Sequence, residues 1–486
     1  MAKQRSAEAP PFRERVYTTL YRLRYGWQFR SSVEISKEEP IWVLGTNYYD
    51  DPESGDKHRD VEGAPPHVMA FMEHFYSVPW MTYRSNFPPI SNTALTTDCG
   101  WGCMVRSGQM VLATALNRHM LGRDWRLPTS SDKDKDIHAK VMSWFADCPS
   151  PQAPFSMHAL MDQAVRHDNH PGDWFGPSQV SVIMRECMKV AKTAIPDLKN
   201  VQVYVAYDCT VYVKDVLQLF HDQYDEALVL LVPVRLGSET LNSIYIPCIQ
   251  GLLSLDCCVG IIGGRPKHSV YFIGFQDDKL IHLDPHYCQS AQILEDGDDP
   301  CQFDTKTYHC PTPRKILANK MDPSCTIGFY CKGLAEFHAL REEAEKVLAP
   351  PKQKGVYPFF TFMDKSIGET IDTSVDMQLG SLSGNDLLLH ADDFDNLEFH
   401  SASDDEDFVV VDCKAPTQRS FSDPGSTVNS TTRVVPETSR TLSEINTPSR
   451  DDSSEPIDTI ANEELDNFTD VSGHTIMSEF EDLSNV

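Results

Sequence analysis

The 486-residue chain has no apolar run long enough to cross a membrane. Its densest apolar stretch, residues 227–232, predicts a buried strand that Pro233 closes. The first residues contain no apolar core of a secretory signal, and we find no internal repeat and no glycine-rich nucleotide-binding loop. These absences argue against a membrane-spanning protein and a nucleotide-dependent enzyme. They favour a cytoplasmic protein.

Fourteen cysteines would suit a disulfide-rich secreted protein, but no secretory signal accompanies them. Several lie inside apolar segments, as reduced core thiols do: Cys187, Cys209, Cys248, Cys257 and Cys258. A second group could suggest zinc, although it contains no CxxC pair: Cys301, His309, Cys310, Cys325 and Cys331. We therefore expect a reducing compartment, no metal centre and no cofactor.

The net charge of −28 is concentrated at one end of the chain. Residues 366–486 contain 27 acidic and 5 basic side chains and lack Trp and Tyr, so they cannot bury enough apolar surface to fold. We expect this acidic tail to be disordered and to disfavour nucleic acid and anionic lipid surfaces. Residues 1–39 are instead a basic, flexible arm, either amphipathic or part of a mitochondrial address. Residues 40–365 are expected to form the folded domain.

The run DCGWGCMVR at residues 98–106 places a cysteine directly after a Gly-Trp-Gly turn. From Cys103 onward apolar residues recur one turn apart until Gly122 supplies a stop, which predicts a buried helix beginning near Cys103. The positive end of the helix dipole and free backbone N–H groups favour a thiolate there. Cys103 is therefore a candidate nucleophile, and a buried structural cysteine is the alternative. Cys99 is near enough for an inhibitory link to Cys103 or to another thiol.

A carboxylate and an imidazole follow each other at the end of a predicted strand. Residues 270–275 predict one strand and 280–283 its return, which runs out into Asp284, Pro285 and His286. Residues two apart in an extended segment share a face, and Pro285 marks where the ladder stops. His286 could then take a thiol proton while Asp284 orients its ring. A turn with a surface histidine is the alternative.

The remaining segments predict a mixed α+β fold. Helical periodicity occurs in residues 68–75, 178–194 and 334–348, whereas residues 41–45 and 201–205 have the pattern of strands. Helices lead and strands follow, which fits an α+β layout rather than a doubly wound sheet.

Five motifs, taken in order, resemble those of the autophagins, the autophagy-related cysteine proteases that process GABARAP-type ubiquitin-like modifiers. They are residues 83–90, 98–109 with the core GWGCM, 173–177, 263–266 and 284–286. The resemblance covers roughly residues 40–365 and is stronger to the longer paralogues of the family. It implies a papain-like fold with Cys103 as nucleophile and with His286 and Asp284 as its partners. Papain itself differs, since its third residue is an Asn.

The resemblance also implies what such an enzyme acts on. An acyl mechanism at a glycine carbonyl would let one site trim a modifier precursor and release the modifier from phosphatidylethanolamine. The expected partners are therefore the free and lipid-conjugated modifiers, with transient access to membranes through the lipidated substrate and without nucleic acid. A weakly active or inactive scaffold that binds such modifiers is the alternative. The intact Cys103, Asp284 and His286 favour the enzyme.

Three further residues receive roles from the resemblance. The phenol of Tyr83 would complete an oxyanion hole with the backbone N–H of Cys103. Trp174 would cover a groove that admits only a glycine. Residues 263–266 would form a flexible loop that substrate lifts, with Pro266 packing near Trp174. From the sequence alone, Tyr83 would be an ordinary half-buried tyrosine. Trp174 could as well be a core residue as a residue of a groove.

The acidic tail contains a candidate docking strand near residues 404–411. An acidic run precedes Phe408 and Val411, an aromatic and an aliphatic residue three apart, as in the short motifs that bind GABARAP-type proteins. Such a segment can add as a strand to a sheet edge, with both side chains in pockets. Residues 17–20 have the same spacing but basic flanks, and they are the weaker candidate.

Overall fold

The computed structural model describes residues 12–26, 35–49, 65–220, 226–265, 268–348 and 358–370. All of these residues belong to one compact unit. Pro266 and residues 371–486, which include Phe408 and Val411, lie outside the described ranges. Among the helices in these ranges, none is long and apolar enough to cross a membrane.

The helices predicted near residues 68–75, 103–121, 178–194 and 334–348 are all present. The α-helices of the described residues are α1 (Phe12–Gly26), α2 (Pro66–Ser77), α3 (Cys103–Leu121), α4 (Asp132–Ser143), α5 (Met157–Ala164), α6 (Pro177–Ala194), α7 (Val213–Leu219), α8 (Ile246–Leu253) and α9 (Gly333–Leu348). Pro177 occupies the first turn of α6, where its missing N–H is not needed. The side chains of Ser131 and Ser156 cap α4 and α5.

Most of the strands form one large sheet. The strands are β1 (Ile41–Val43), β2 (Thr46–Tyr48), β3 (Tyr83–Ser85), β4 (Val201–Val205), β5 (Thr210–Tyr212), β6 (Ala227–Arg235), β7 (Cys258–Arg265), β8 (His268–Gln276), β9 (Lys279–Leu283), β10 (Cys288–Ser290), β11 (Arg314–Leu317), β12 (Ser324–Lys332) and β13 (Thr361–Met363). The order along the sheet is β11-β9-β8-β7-β12-β6-β4, with β1 added to β8 and β2 to β1. Its neighbours are antiparallel except β4 and β6. Two parallel pairs, β3 with β10 and β5 with β13, lie outside it.

The sheet lies between two layers of helices because its central strands are apolar on both faces. In β6, Val229 and Leu231 belong to the core that includes α3 and α6. Leu228 and Leu230, which point to the opposite face, belong to the core that includes α8 and α9. This arrangement confirms the predicted α+β class.

Strand β6 is longer than the sequence predicted. Pro233 was expected to close it, but the strand continues to Arg235. The Leu231 carbonyl accepts a hydrogen bond from the backbone N–H of Ala206, so it points to the side of β6 on which β4 lies. The backbone of Pro233, two residues on, points to that same side. Strand β4 pairs with β6 only as far as Leu231, so the missing N–H of Pro233 leaves no strand without a partner.

Four buried charges form a closed cluster beneath the start of α3. Arg106 donates to Asp98 at 2.6 Å and to Asp147 at 3.0 Å, and Arg84 lies 3.8 Å from Asp147. The four side chains are at most 1% exposed. Burial by itself lowers the pKa of Arg106, but the two carboxylates outweigh that effect and raise it. The cluster is electrically neutral, so mutual attraction offsets the loss of hydration.

We expect Arg106→Met to lower the free energy of unfolding by about 3–5 kcal/mol, because Asp98 and Asp147 would keep their buried charges without the cation between them. Urea unfolding at pH 7, followed by far-UV circular dichroism, measures the change.

Arg341→Met is the matched control. Arg341 pairs with Glu345 and Asp364, whose side chains are 49% and 72% exposed, so the same substitution should leave the free energy of unfolding nearly unchanged. Equal losses in the two variants would contradict a special role for the buried cluster.

Candidate active site

Cys103 is the first residue of α3 and is fully buried, which confirms the predicted helix start. Its thiol sulfur accepts hydrogen bonds from the Tyr83 hydroxyl and from the backbone N–H groups of Met104 and Ser269. Burial raises the pKa of the thiol, and these three donors offset only part of that effect. The site as it stands therefore holds a thiol rather than the thiolate that a helix start by itself predicts.

The Gly-Trp-Gly turn before Cys103 is held by Asp98. The backbone N–H groups of Trp101 and Gly102 donate to the Asp98 carbonyl, and the backbone N–H of Arg84 donates to the Asp98 carboxylate at 2.6 Å. A Cβ at Gly102 would lie 2.7 Å from the Asp98 Cβ, so the turn requires glycine. The buried charge cluster thus fixes the turn at which α3, the helix of Cys103, begins.

Asp284 and His286 lie together where β9 ends, as predicted. Oδ1 of Asp284 accepts from His286 Nδ1 at 2.6 Å and from the His286 backbone N–H at 2.9 Å. The Trp80 indole donates to the Asp284 carbonyl, and the Tyr83 N–H donates to the Pro285 carbonyl, each at 2.8 Å. Because Nδ1 carries its proton toward the carboxylate, Nε2 of neutral His286 is the acceptor that can take a proton.

The protonation states of this pair follow from its surroundings. Burial by itself raises the pKa of Asp284, but the imidazoles of His268 and His286 outweigh burial and hold it well below its ordinary value. Burial lowers the pKa of His286, although Asp284 acts in the opposite direction. At neutral pH the pair is therefore a carboxylate beside a neutral base.

Tyr83 connects the thiol with the imidazole. It is buried in β3, and it pairs with Cys288 of β10, just after the turn that contains His286. Its ring meets His286 edge-on, with centroids 5.3 Å apart. Burial raises the pKa of Tyr83 well above its ordinary value, so its hydroxyl stays protonated and donates a hydrogen bond to the Cys103 sulfur. The structure thus brings together the four residues that the sequence nominated, while the oxyanion role of Tyr83 stays a prediction.

Helix α1, part of the basic arm, covers the site, which the sequence did not predict. Tyr25 stacks on His286 with ring centroids 5.4 Å apart, and Tyr21 meets Tyr83 edge-on at 5.3 Å. Arg22 donates hydrogen bonds to both strands of the β3–β10 pair. The aromatic face of α1 therefore closes the side of the site on which the imidazole lies.

The weaker docking candidate, residues 17–20, lies inside α1. Docking motifs of that kind bind as extended strands, so this segment would have to unwind before it could act as one. Leu20 is nevertheless 54% exposed, on the outer side of the helix.

Trp174 is 51% exposed, which excludes the alternative that it is a core residue. It lines a cleft of about 410 Å³, including the open mouth, whose wall also contains Met104 and Ser269. Both of these residues contact the nucleophile through their backbone N–H groups. The cleft therefore lies beside residues that contact Cys103, although Cys103 itself does not line it. The role of Trp174 as a cover over a substrate groove stays a prediction, and Pro266 lies outside the described residues.

The glycines expected in a flexible loop belong to a strand. Gly263 and Gly264 lie near the end of β7 and pair with Val270 and Ser269 of β8. At Gly264 φ is +155°, and a Cβ there would collide with the His268 carbonyl oxygen, so the close approach of the two strands requires glycine. The expected loop is reduced to residues 266–267, which the described ranges do not include.

Two further cysteines belong to the site. The thiols of Cys99 and Cys288 are hydrogen-bonded to each other, and both pack in a small cluster with Tyr83 and Cys103. Cys99 thus has Cys288, rather than Cys103, as the thiol with which it interacts.

One group of three potential metal-ligating side chains is close together within the described ranges: His268, Asp284 and His286. None of the five residues considered for zinc belongs to it. The rings of the two histidines are stacked 3.5 Å apart with planes within 2°. Their in-plane lone pairs run side by side instead of converging on one ion.

Sequence reasoning missed the start of β8. The N–H of Ser269 reaches the Cys103 sulfur, its hydroxyl donates to Ser107 at 3.0 Å, and His268 faces Asp284. No local pattern singles out either residue, since both follow a turn and begin an apolar strand. Only the register of the β7–β8–β9 strands brings them to the nucleophile and its partners.

Comparison with known proteins identifies the family of this chain. Residues 68–343 match the family profile of the Peptidase C54 catalytic domain. The chain is 39% identical to cysteine protease ATG4C of Homo sapiens, over 70% of this chain and 87% of the human protein. It is 35% identical to cysteine protease ATG4D of Xenopus laevis, over 74% of this chain and 82% of that protein. The chain therefore belongs to the autophagins, the C54 family of autophagy-related cysteine proteases with a papain-like α+β fold.

Proposed function

We propose that this cysteine protease cleaves after the C-terminal glycine of GABARAP-type ubiquitin-like modifiers, with Cys103 as nucleophile, His286 as base and Asp284 as its orienting carboxylate. The observation that carries the proposal is the connected set from Asp284 through His286 to Tyr83, whose hydroxyl donates to the Cys103 sulfur. A nucleophile, a base and a carboxylate in such contact are the marks of covalent hydrolases. The resemblance to the autophagins supports the substrate class.

The proposed reaction has two halves. His286 takes the proton of the Cys103 thiol as the sulfur bonds to the glycine carbonyl carbon. The Cys103 backbone N–H and the Tyr83 hydroxyl hold the oxyanion that forms. The C–N bond then breaks, His286 gives its proton to the leaving amine, and a thioester remains. Water, deprotonated by His286, adds to the thioester and releases the modifier as a carboxylate with the thiol restored.

The same chemistry accepts two kinds of leaving group. The thioester contains only the modifier, so one site trims a peptide precursor and also cuts the amide to phosphatidylethanolamine. In this proposal the enzyme is cytoplasmic and reaches membranes only through the lipidated substrate. Trp174 beside the cleft rejects residues larger than glycine.

We further propose that the chain has three functional parts. Residues 40–365 are the catalytic domain, and the preceding basic arm contributes α1 as a cover. Residues 366–486 are a recruitment element in which Phe408 and Val411 dock a modifier by strand addition. A tether of this kind raises the local concentration of substrate without contacting the reacting groups.

A scaffold that binds modifiers without cleaving them is the second candidate. The covered site favours it, because Tyr25 stacks on His286 and Cys103 is inaccessible. The hydrogen bonds between Asp284 and His286 and between Tyr83 and Cys103 favour the enzyme. A modifier with a C-terminal electrophile separates the two candidates, since only an enzyme with a reactive thiol forms a covalent adduct with it.

Cys103→Ala should reduce cleavage of a GABARAP-type precursor at least roughly a thousandfold, because it removes the thiol that forms the thioester in the proposed reaction. Cleavage is measured on gels with purified full-length protein. Cys99→Ser is the control: it leaves the nucleophile in place and should retain activity. Comparable trimming by Cys103→Ala and wild type would remove Cys103 from the mechanism.

Tyr25→Ala should raise the rate at which iodoacetamide alkylates Cys103. Burial raises the pKa of this thiol, so admitting water lowers the pKa and increases the thiolate fraction at pH 7. Peptide mass spectrometry across a pH series should show the midpoint for Cys103 moving to lower pH. Leu23→Ala, on the 69% exposed outer side of the same helix, should leave the midpoint unchanged. A midpoint that stays in place in Tyr25→Ala would contradict the role of α1 as a cover.

Phe408→Ala with Val411→Ala should weaken capture of a GABARAP-type protein by the full-length chain, and deletion of residues 366–486 should weaken it similarly. Binding is measured by calorimetry in chains that also carry Cys103→Ala. Added salt should weaken the contribution of the tail, because its acidic residues act at an exposed rim. Equal affinities of the unsubstituted, substituted and truncated chains would end the recruitment proposal.

A further inference from the structure

His268, the first residue of β8, lies against both partners of the nucleophile. Its Nε2 is 3.8 Å from Asp284 Oδ2, and its ring stacks on the ring of His286 with centroids 3.5 Å apart. The proposed reaction assigns no part to this second imidazole.

We infer that His268 is a positioning residue that holds Asp284 through its second carboxylate oxygen and keeps the ring of His286 in plane by stacking on it. The inference rests on the proposed function, in which these two residues serve Cys103.

The carboxylate of Asp284 has one oxygen for each imidazole. Oδ1 accepts from the ring and the backbone N–H of His286, and Oδ2 faces His268. A carboxylate with little exposure to water needs a partner for each oxygen. Without His268, rotation of the carboxylate toward water would weaken its bond to His286, and the base would lose its orientation.

Stacking restrains the other rotation, that of the imidazole. The ring of His286 is held between the face of His268 and the edge of Tyr83. This plane directs Nδ1 toward Asp284 and so determines where Nε2 lies. Tyr25 also stacks on His286, but it belongs to the cover that must move for substrate to enter. In the open site His268 is therefore the ring that still supports the base.

His268 also acts on the titration of His286. The titratable groups in contact with it are Asp284 and His286 from the β9 end and Tyr25 from α1. Arg24 of α1 acts on His286, and Asp322 lines the same cleft as His268. Burial lowers the pKa of His286, Asp284 raises it, and the neighbouring imidazole of His268 acts to lower it. An uncharged residue at position 268 should thus raise the pKa of His286. The limb of the pH–rate profile that reports the titration of His286 should then move to higher pH.

The test compares two variants of the full-length enzyme on a GABARAP-type precursor. His268→Phe keeps a flat ring on His286 but cannot donate to Asp284, whereas His268→Gln keeps a donor without the ring or an ionisable group. His338→Gln, at an exposed position of α9, is the matched control. Steady-state kcat and KM are measured from about pH 4.5 to about 9, a range that begins well below the ordinary pKa of histidine because the pKa of His286 is lowered.

For His268→Phe we expect kcat to fall roughly 10-fold with KM little changed, because the contact that it removes lies at 3.8 Å from a charged group and is longer than a hydrogen bond. His268→Gln should recover most of the lost turnover. In both variants the limb that His286 controls should move to higher pH, and in His338→Gln it should stay in place. Should His268→Phe fail to fold, the limb shift in His268→Gln still decides the question.

An unchanged kcat in His268→Phe, a change confined to KM, or a limb that does not move would overturn the inference. A KM effect alone would mean that His268 only lines the cleft beside Trp174. Asp284→Asn and Cys103→Ala are assayed in parallel. If they are inactive while the His268 variants behave as wild type, the inference fails and the proposed function stands. If Asp284→Asn is fully active, the proposed function itself fails.

Discussion

The buried ion pair between Asp98 and Arg106 is the interaction on which the geometry of the site depends. The Asp98 carbonyl holds the turn before Cys103, and its carboxylate binds both the backbone of Arg84 in β3 and the guanidinium of Arg106 in α3. One residue thereby places the strand of Tyr83 against the helix of Cys103. The second carboxylate, Asp147, balances the charge, so the cluster can stay dry beneath a site that must be rigid.

The other half of the site comes from strand ends. Strand β9 ends just before Asp284, and β8 begins at His268, whose neighbour Ser269 reaches the nucleophile through its N–H. Backbone at a strand end is not fully committed to ladder bonds, so it can donate to a sulfur or a carbonyl instead. The antiparallel β8–β9 hairpin thus brings His286, Asp284 and a donor to the Cys103 sulfur to one place.

Burial acts differently on the titratable groups that meet there. It raises the pKa of Cys103 and Tyr83 and lowers that of His286, which keeps all three uncharged. Asp284 alone stays charged, because two imidazoles outweigh its burial. Part of this burial comes from the aromatic face of α1. The contact of α1 with the site therefore limits both access to Cys103 and ionisation of its thiol.

Local sequence patterns were sufficient to predict a helix that begins at Cys103, a carboxylate and an imidazole two residues apart at a strand end, and the α+β class. The apolar period, the turn glycines and the pleat act within a few residues, so they can be recognised without a partner. That Tyr25 covers the imidazole, that His268 stacks on it and that Pro233 lies within a strand became visible only in the folded chain. These placements depend on strand register and on packing between segments far apart in the chain, and no local pattern encodes which distant surface will meet them.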